Sequence, residues 1–243
     1  MSDRTNDLGL PIGAAVPGWT PRPRPSRCIL AGRYCSVQPL ESSQHGTELF
    51  EANATDREGR MWTYLSYGPF QSQESYRAWL DAMQASDDPR FLAIVAQRTG
   101  RAVGVASYLR IDGANGSIEV GHLQFSPLLQ RTPAATEAMY LMMKQAFELG
   151  YRRYEWKCDA LNAASRRAAE RLGFRFEGIF RQATVYKGRN RDTAWYSVID
   201  REWPAIAAGF ERWLDPSNFA PSGAQRMTLA QARRSLDQAR SAG

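Results

Sequence analysis

Apolar positions along this chain recur at two spacings, and turn residues mark where one spacing gives way to the other. Alternation of apolar and polar residues marks strands; recurrence at three and four marks helices. Tyr34 to Leu40 has strand character, and residues 42–53 form a plausible short helix. Met61 to Phe70 is dense in aromatics and ends in a turn. Ser72 to Met83 reads as a helix, with Tyr76, Trp79, Leu80 and Met83 at helical spacing and Ser72 as its N-cap. Phe91–Val95 and Ala102–Leu109 are strands joined by the hairpin signal Arg98-Thr99-Gly100-Arg101. A second turn, Asp112 to Gly116, leads into the strand Ser117–Phe125. A long helix runs from Pro133 to about Leu149, then a strand Tyr154–Cys158 and a helix Ala163–Leu172 closed by Gly173. Phe174–Phe180 and Thr193–Val198 read as strands, and Pro204–Trp213 as a helix. Thr228–Ala239 carries Leu229, Ala232, Leu236 and Ala239 on one stripe, a short amphipathic helix. Hairpins come first and strand–helix–strand units later. This order predicts an α+β fold with a mainly antiparallel sheet and one central parallel pairing.

The ends differ in texture from the middle. Residues 1–31 hold Pro11, Pro17, Pro21, Pro23 and Pro25 and read as an extended arm, in which Trp19 is placed to dock on the body. The expected division is an arm over 1–31, one folded domain over 32–214, and a tail over 215–243. With 243 residues, 43% of them hydrophobic, the chain can bury a core without staples. Cys28, Cys35 and Cys158 are odd in number and widely spaced, so they read as reduced thiols, and two histidines are too few for a His-rich metal site; no metal is expected. No run approaches a membrane span, and the acidic start Met1 to Asp7 is not a secretory signal, so a cytoplasmic location and no membrane partner are expected.

The net charge of +6 suggests nucleic acid, but its placement does not. Residues 1–33 net +3, residues 219–243 net +3, and residues 34–218 carry 22 basic and 22 acidic residues. Within that neutral body, residues 151–191 hold eleven Lys/Arg against four acids, which fits a compact polyanionic ligand better than a polymer.

Two strand-to-helix junctions carry the candidate chemistry. In Gln130-Arg131-Thr132-Pro133-Ala134-Ala135-Thr136, Thr132 is a good N-cap and Pro133 suits the first helical position. Ala134 and Ala135 leave backbone N–H groups open to an anion. The plainer reading is a well-capped core helix. At the second junction Asn162 caps a helix bearing Arg166, Arg167 and Arg171 off its packed stripe, where they could meet phosphates or simply face solvent.

Together the two segments resemble the GNAT superfamily of acyl-CoA-dependent N-acetyltransferases, and within it the RimJ/RimL-type enzymes. Gln130-Arg131-Thr132-Pro133-Ala134-Ala135 matches the pyrophosphate loop Gln/Arg-x-x-Gly-x-Gly/Ala, with Pro133 at the first Gly. Asn162, Ser165 and Leu172-Gly173-Phe174 match the next landmark, and Glu177 to Arg181, Gly188, Asp192 and Tyr196-Ser197 match the last strands. The resemblance spans roughly 33–203. It implies the GNAT fold, with a splayed parallel strand pair in the central sheet and helices flanking it. It also implies direct acetyl transfer from acetyl-CoA to a primary amine: a protein N-terminus, an amino-acid-like amine or a small-molecule amine. Cofactor contacts are then expected at Leu123, Phe125, Gln130, Arg131, Thr132, Ala134, Ala135, Thr136, Asn162, Ser165, Arg167 and Arg171. Proline lacks an N–H, so Pro133 implies weaker or re-routed pyrophosphate contacts.

Glu119 and His122 are the base candidates. Three residues apart, they face opposite sides of a regular strand and reach one substrate only if a bulge falls near Gly121. With an ordinary pKa near 6.5, His122 is the easier base at neutral pH. Ser165 and Tyr196 are candidate acids, Ser165 favoured by the resemblance. Trp62, Tyr64, Tyr67 and Phe70 are candidate acceptor-side aromatics, with Tyr186 and Lys187 opposite them. Cys158 reads as packing. Two other classes stay open: a non-catalytic acyl-CoA-binding module, and a ribosome- or RNA-associated protein using its basic ends, nucleic acid being the less expected partner. A homodimer is also open.

Overall fold

The computed structural model describes residues 4–234. Eight strands form one sheet in the order β1-β2-β3-β4-β5-β6-β8-β7. They are β1 (Leu30–Ala31), β2 (Cys35–Pro39), β3 (Arg90–Ala96), β4 (Arg101–Asp112), β5 (Ser117–Phe125), β6 (Arg153–Asp159), β7 (Arg175–Tyr186) and β8 (Arg189–Ile199). Every pairing is antiparallel except β5 with β6. The expected α+β arrangement, with its single parallel pair near the centre, is the one observed. Continuity through that pair requires a crossover, and α3 (Pro133–Glu148) supplies it.

Helices cover both faces because the strands are apolar on both. Along β3, Phe91 and Ala93 enter one core and Leu92 and Ile94 the other. The first face carries α1 (Ser42–Ala54) and α2 (Gln73–Gln84), packed through Leu49, Tyr76 and Leu80. The second carries α3, α4 (Ala163–Leu172) and α5 (Trp203–Leu214), packed through residues such as Met139, Met143, Leu172 and Phe210. Local signals set the helix ends. Ser72 and Ser75 form a reciprocal capping box on α2, Thr132 accepts from the Ala135 N–H on α3, and Asn162 accepts from the Ser165 N–H on α4. Gly173 ends α4 at φ 103°, a left-handed conformation that costs glycine nothing.

Trp19 docks as its presence in the arm implied. Its indole N–H donates to the Ala114 carbonyl at 2.7 Å, and the guanidinium groups of Arg22 and Arg152 lie over its ring at 4.3 and 5.9 Å. Beyond it, Arg24 donates to the Asp87 carbonyl, and Arg27 reaches the carbonyls of Gln84 and Ser86 and the Asp87 carboxylate. These arm arginines are therefore occupied by the body. At the tail, residues 229–234 are helical, and Leu229 and Ala232 are buried in the second core. Leu236 and Ala239 of the expected stripe lie outside the described residues.

Two strands differ from expectation. β7 runs on to Tyr186 and β8 begins at Arg189, so the hairpin is several residues longer than Phe174–Phe180 and Thr193–Val198. Its turn places Lys187 (φ 47°) and Gly188 (φ 68°) in the left-handed region, as a two-residue hairpin turn requires. The extension escaped the alternation test because β7 is an edge strand whose residues are nearly all exposed, so neither face selects apolar side chains.

One carboxylate ties the start of the sheet to the crossover helix. Glu137 on α3 is buried, and it accepts the backbone N–H groups of Arg33, Tyr34 and Cys35 at 2.8, 2.6 and 2.8 Å. Glu137→Ala leaves the buried Cys35 N–H and the part-buried N–H groups of Arg33 and Tyr34 without an acceptor and is expected to lower unfolding stability by about 3 kcal/mol, read by denaturant melts. Glu137→Gln, which keeps an oxygen in place, is expected to cost distinctly less.

Candidate active site

The parallel pairing of β5 and β6 runs from Ser117–Arg153 to Val120–Trp156 and stops. Past that point β5 continues to Phe125 without a partner on its β6 side. A cleft of about 460 Å³ opens there, lined from β5, β6, the β7–β8 hairpin, the start of α4 and the Met61–Ser66 segment. The register of β4 on β5 also shifts: Ser107 faces Gly121, but Val105 faces Gln124. Two residues of β5, His122 and Leu123, thus oppose the single residue Ala106, and His122 takes φ 50°. This is the bulge that lets Glu119 and His122 line one cleft, as both do.

Glu119 is almost fully buried. Its Oε2 accepts from Arg110 at 2.7 Å and from Lys157 Nζ at 2.8 Å. Both cations contact the same oxygen, so Oε1 keeps its lone pairs. Lys157 also reaches Glu155 at 2.7 Å, Arg153 pairs with Glu155 at 2.6 Å, and Arg153 with Ser197 holds Glu177. Signs alternate along this chain, and strand register explains why. Glu119 and Glu155 stand directly opposite on neighbouring parallel strands, a repulsive arrangement. Lys157, two residues on from Glu155 and on the same face, places its ammonium between them and 3.7 Å above the Trp195 ring. Burial pushes the Glu155 carboxyl upward, but the bonds from Lys157 and Arg153 outweigh it and hold the group below its ordinary pKa.

His122 does not titrate near 6.5 as expected. Burial first, and then the charge of Arg110, lower it to about 4. Its ring stacks on Tyr67 at 5.7 Å and lies 5.0 Å from Phe91. The side chain is therefore a neutral imidazole at pH 7. Ser165 Oγ accepts from the Trp156 indole at 3.0 Å and is within hydrogen-bonding reach of Cys158, whose thiol burial pushes up. Tyr186 is buried and donates to Asp159 at 2.8 Å, and Tyr64 donates to the Leu161 carbonyl at 3.2 Å across the cleft.

At the head of α3, the N–H groups of Leu129, Gln130, Thr132 and Ala135 are taken within the loop, and Pro133 has none. Those of Arg131 and Ala134 have no partner among the described residues. Arg131 sits at φ 61°, the conformation a glycine would supply. Open donors thus lie on both sides of the proline.

A model of the acetyltransferase (GNAT) domain matches residues 37–175. The chain belongs to the GNAT acetyltransferase family. A GCN5-related N-acetyltransferase from Brucella melitensis has the same fold, with TM-score 0.89 and 49% identity over 90% of this chain and all of that one. The Bacillus licheniformis protein described as "Uncharacterized N-acetyltransferase p20" is 26% identical over 145 residues, 58% of this chain and 80% of that protein. MccE, a microcin C7 self-immunity acetyltransferase solved with acetyl-CoA and AMP, shares the fold (TM-score 0.61, 19% identity, 69% of this chain and 93% of that one).

Within this GNAT domain the cleft gathers Glu119, His122, Leu123, Asn162, Ser165, Tyr64 and Tyr186 from the residues singled out in the sequence. It does not gather Trp62 or Tyr67. Trp62 is buried, its ring packed edge-on to Tyr67 and Phe70, and Tyr67 packs against Trp79; they are core under α2. Tyr196 points to the other face of β8, where its hydroxyl accepts from Arg166 at 3.0 Å. Gln130 ties the Phe125 carbonyl at 2.7 Å, Arg171 reaches Thr136 Oγ1 at 3.1 Å beside the α3 start, and Arg167 is exposed. Arg110, Lys157, Asp159, Arg191 and Trp195 line the cleft and were missed. The readable signal was alternation: Glu155 with Lys157, and Arg191, Thr193 and Trp195, each share one strand face. Among the described residues, no group of His, Cys, Asp and Glu could hold a metal ion.

The depressed pKa of His122 makes a signed prediction. As pH falls below about 6.5 the unfolded chain takes up a proton that the folded imidazole refuses until about 4, so folding loses stability across that window. His122→Phe is expected to lose about 2–3 kcal/mol less than wild type between pH 7 and pH 4.5, measured by denaturant unfolding.

Proposed function

We propose that the protein transfers the acetyl group of acetyl-CoA to an amine by direct attack in a ternary complex, in the manner of RimJ/RimL-type enzymes. The observation that carries this reading is the parting of β5 from β6 beyond Val120–Trp156, with Glu119 and the bulged His122 on its wall. The gap holds the thioester with its carbonyl against the unpaired edge of β5, whose N–H groups steady the oxyanion. The open N–H groups of Arg131 and Ala134, at the positive end of α3, take the pyrophosphate, and Arg131 adds a charge. Glu119 Oε1, the carboxylate oxygen left open by Arg110 and Lys157, removes the ammonium proton, directly or through one water, while the imidazole of His122 is packed against Tyr67 and Phe91. His122 instead fixes the bulge by its stacking on Tyr67. The freed amine attacks the thioester carbon, the C–S bond breaks, and the proton that the new amide nitrogen sheds passes to the departing thiolate through the hydroxyl of Ser165, whose oxygen Trp156 already holds, leaving amide and free CoA thiol.

The alternative of RNA binding through the basic ends is weakened by the arm, where Arg22, Arg24 and Arg27 are engaged with Trp19 and the body.

Acetyl-CoA at 100 times its dissociation constant is expected to stabilise the protein by about 2.7 kcal/mol in a thermal melt, with ATP as a negative control. No shift at millimolar acetyl-CoA would sink the donor assignment. Glu119→Gln keeps an oxygen for Lys157 and is expected to fold, bind acetyl-CoA and lose about 10²–10⁴ in kcat. His122→Phe is expected to keep most of its activity at pH 7, and a loss as large as that of Glu119→Gln would reassign the base.

A further inference from the structure

The cleft carries more positive charge than acetyl transfer consumes. Arg191, Thr193 and Trp195 are alternate residues of one β8 face, and all three line it. Lys157 stands across from Trp195, and Asp159 across from Thr193. Of the acids in this lining, Glu119 is ion-paired through one oxygen and Asp159 is hydrogen-bonded by neutral donors. Glu119 is bound by Arg110 and Lys157, while Asp159 accepts the Tyr186 hydroxyl and the Leu161 N–H, each at 2.8 Å.

Arg191 has no such match. Its Nε donates to Thr193 Oγ1 at 3.1 Å, and no carboxylate among the described residues lies within ion-pairing distance of it. Its charge acts on both the Cys158 thiol and the Tyr186 phenol, two other residues of the lining. The indole N–H of Trp195, in the same lining, is buried and has no partner. Two further cations stand at the adjoining hairpin turn. Lys187 Nζ donates to the Trp62 carbonyl and Arg189 to the Thr63 carbonyl, both at 2.9 Å. Those acceptors are neutral, so neither charge is balanced there. Against Arg191, Lys187 and Arg189 stands the single carboxylate of Asp159, whose own partners are neutral, so a bare ammonium entering this mouth meets a net charge of its own sign.

We propose that the acceptor amine also carries a carboxylate or phosphoryl group, bound by the open fork of Arg191 on the β8 side of the cleft. The planar guanidinium presents parallel N–H donors that suit either anion. Lys187 and Arg189 draw the anion in, and binding it offsets the repulsion of the ammonium. The proposal rests on reading the protein as an amine acetyltransferase.

The test uses matched acceptors: ω-amino carboxylic acids of increasing length against their primary amides, and phosphoethanolamine against ethanolamine. Thiol release from acetyl-CoA is followed on the full chain, and thermal shifts with CoA present give binding without turnover. For at least one pair, the anionic member is expected to show a KM at least tenfold lower. That ratio is expected to fall toward one in Arg191→Gln and to recover in part in Arg191→Lys. Retained stabilisation by acetyl-CoA reports that each variant is folded. Equal KM values within twofold across all pairs would overturn the proposal. So would a ratio that survives in Arg191→Gln, or a failure of every anionic member either to react or to bind. If anionic amines bind in an Arg191-dependent way but no thiol is released, the acetyltransferase reading fails and the anion site stands.

Discussion

The ammonium of Lys157 sits between two carboxylates that would otherwise repel each other at the place where two parallel strands part. Without it, Glu119 and Glu155 could not face one another at the last paired rungs of β5 and β6. With it, the final rungs are fastened by charge as well as by backbone bonds, and the cleft begins just beyond. The fastening is buried and its ions are mutually satisfied through Arg110, Arg153 and Glu177, the condition under which a buried network holds a defined geometry. The gap is thus an edge of defined position rather than a frayed end. Glu119, held by one oxygen and open at the other, is placed by the same bonds that close the sheet behind it.

The bulge at His122 performs a second kind of placement. An extra residue in β5 turns the strand so that neighbours three apart share a wall, and it does so at the cost of a left-handed backbone and a buried imidazole. The aromatic residues beneath α2 absorb that ring by stacking. The rings of Trp62 and Tyr67 therefore support the cleft from behind, while Met61, Tyr64, Leu65 and Ser66 between and beside them line it and Tyr64 reaches across to Leu161. Just past the end of β5, the left-handed Arg131 and the N–H of Ala134 leave open donors on both sides of Pro133.

Much of this was legible in the sequence where the deciding forces are short-range. Ser72, Thr132, Asn162 and Gly173 announce helix ends because the bonds they make span three or four residues. Strands with a buried face declare themselves by alternation. The tip of the β7–β8 hairpin did not, since an exposed edge imposes no pattern. Glu119, His122 and Ser165 were found through spacing and family likeness, and the need for a bulge followed from counting residues. Lys157 and Arg191 were not found, because a cation on a strand looks the same in sequence whether it faces solvent or a partner strand's carboxylate. Trp62 and Tyr67 were misplaced for a related reason: an aromatic cluster without period does not say which side of a wall it occupies.

The indole of Trp19 lies at the opposite end of the same two strands, hydrogen-bonded to the β4–β5 turn and under the guanidinium of Arg152, which leads into β6. The pair is riveted at its base by a residue from the arm and divided at its top. The β7–β8 turn, on the far side of the cleft, is held to the body through the carbonyls of Trp62 and Thr63. The proline-rich arm, far from the cleft, fixes the base from which β5 and β6 diverge.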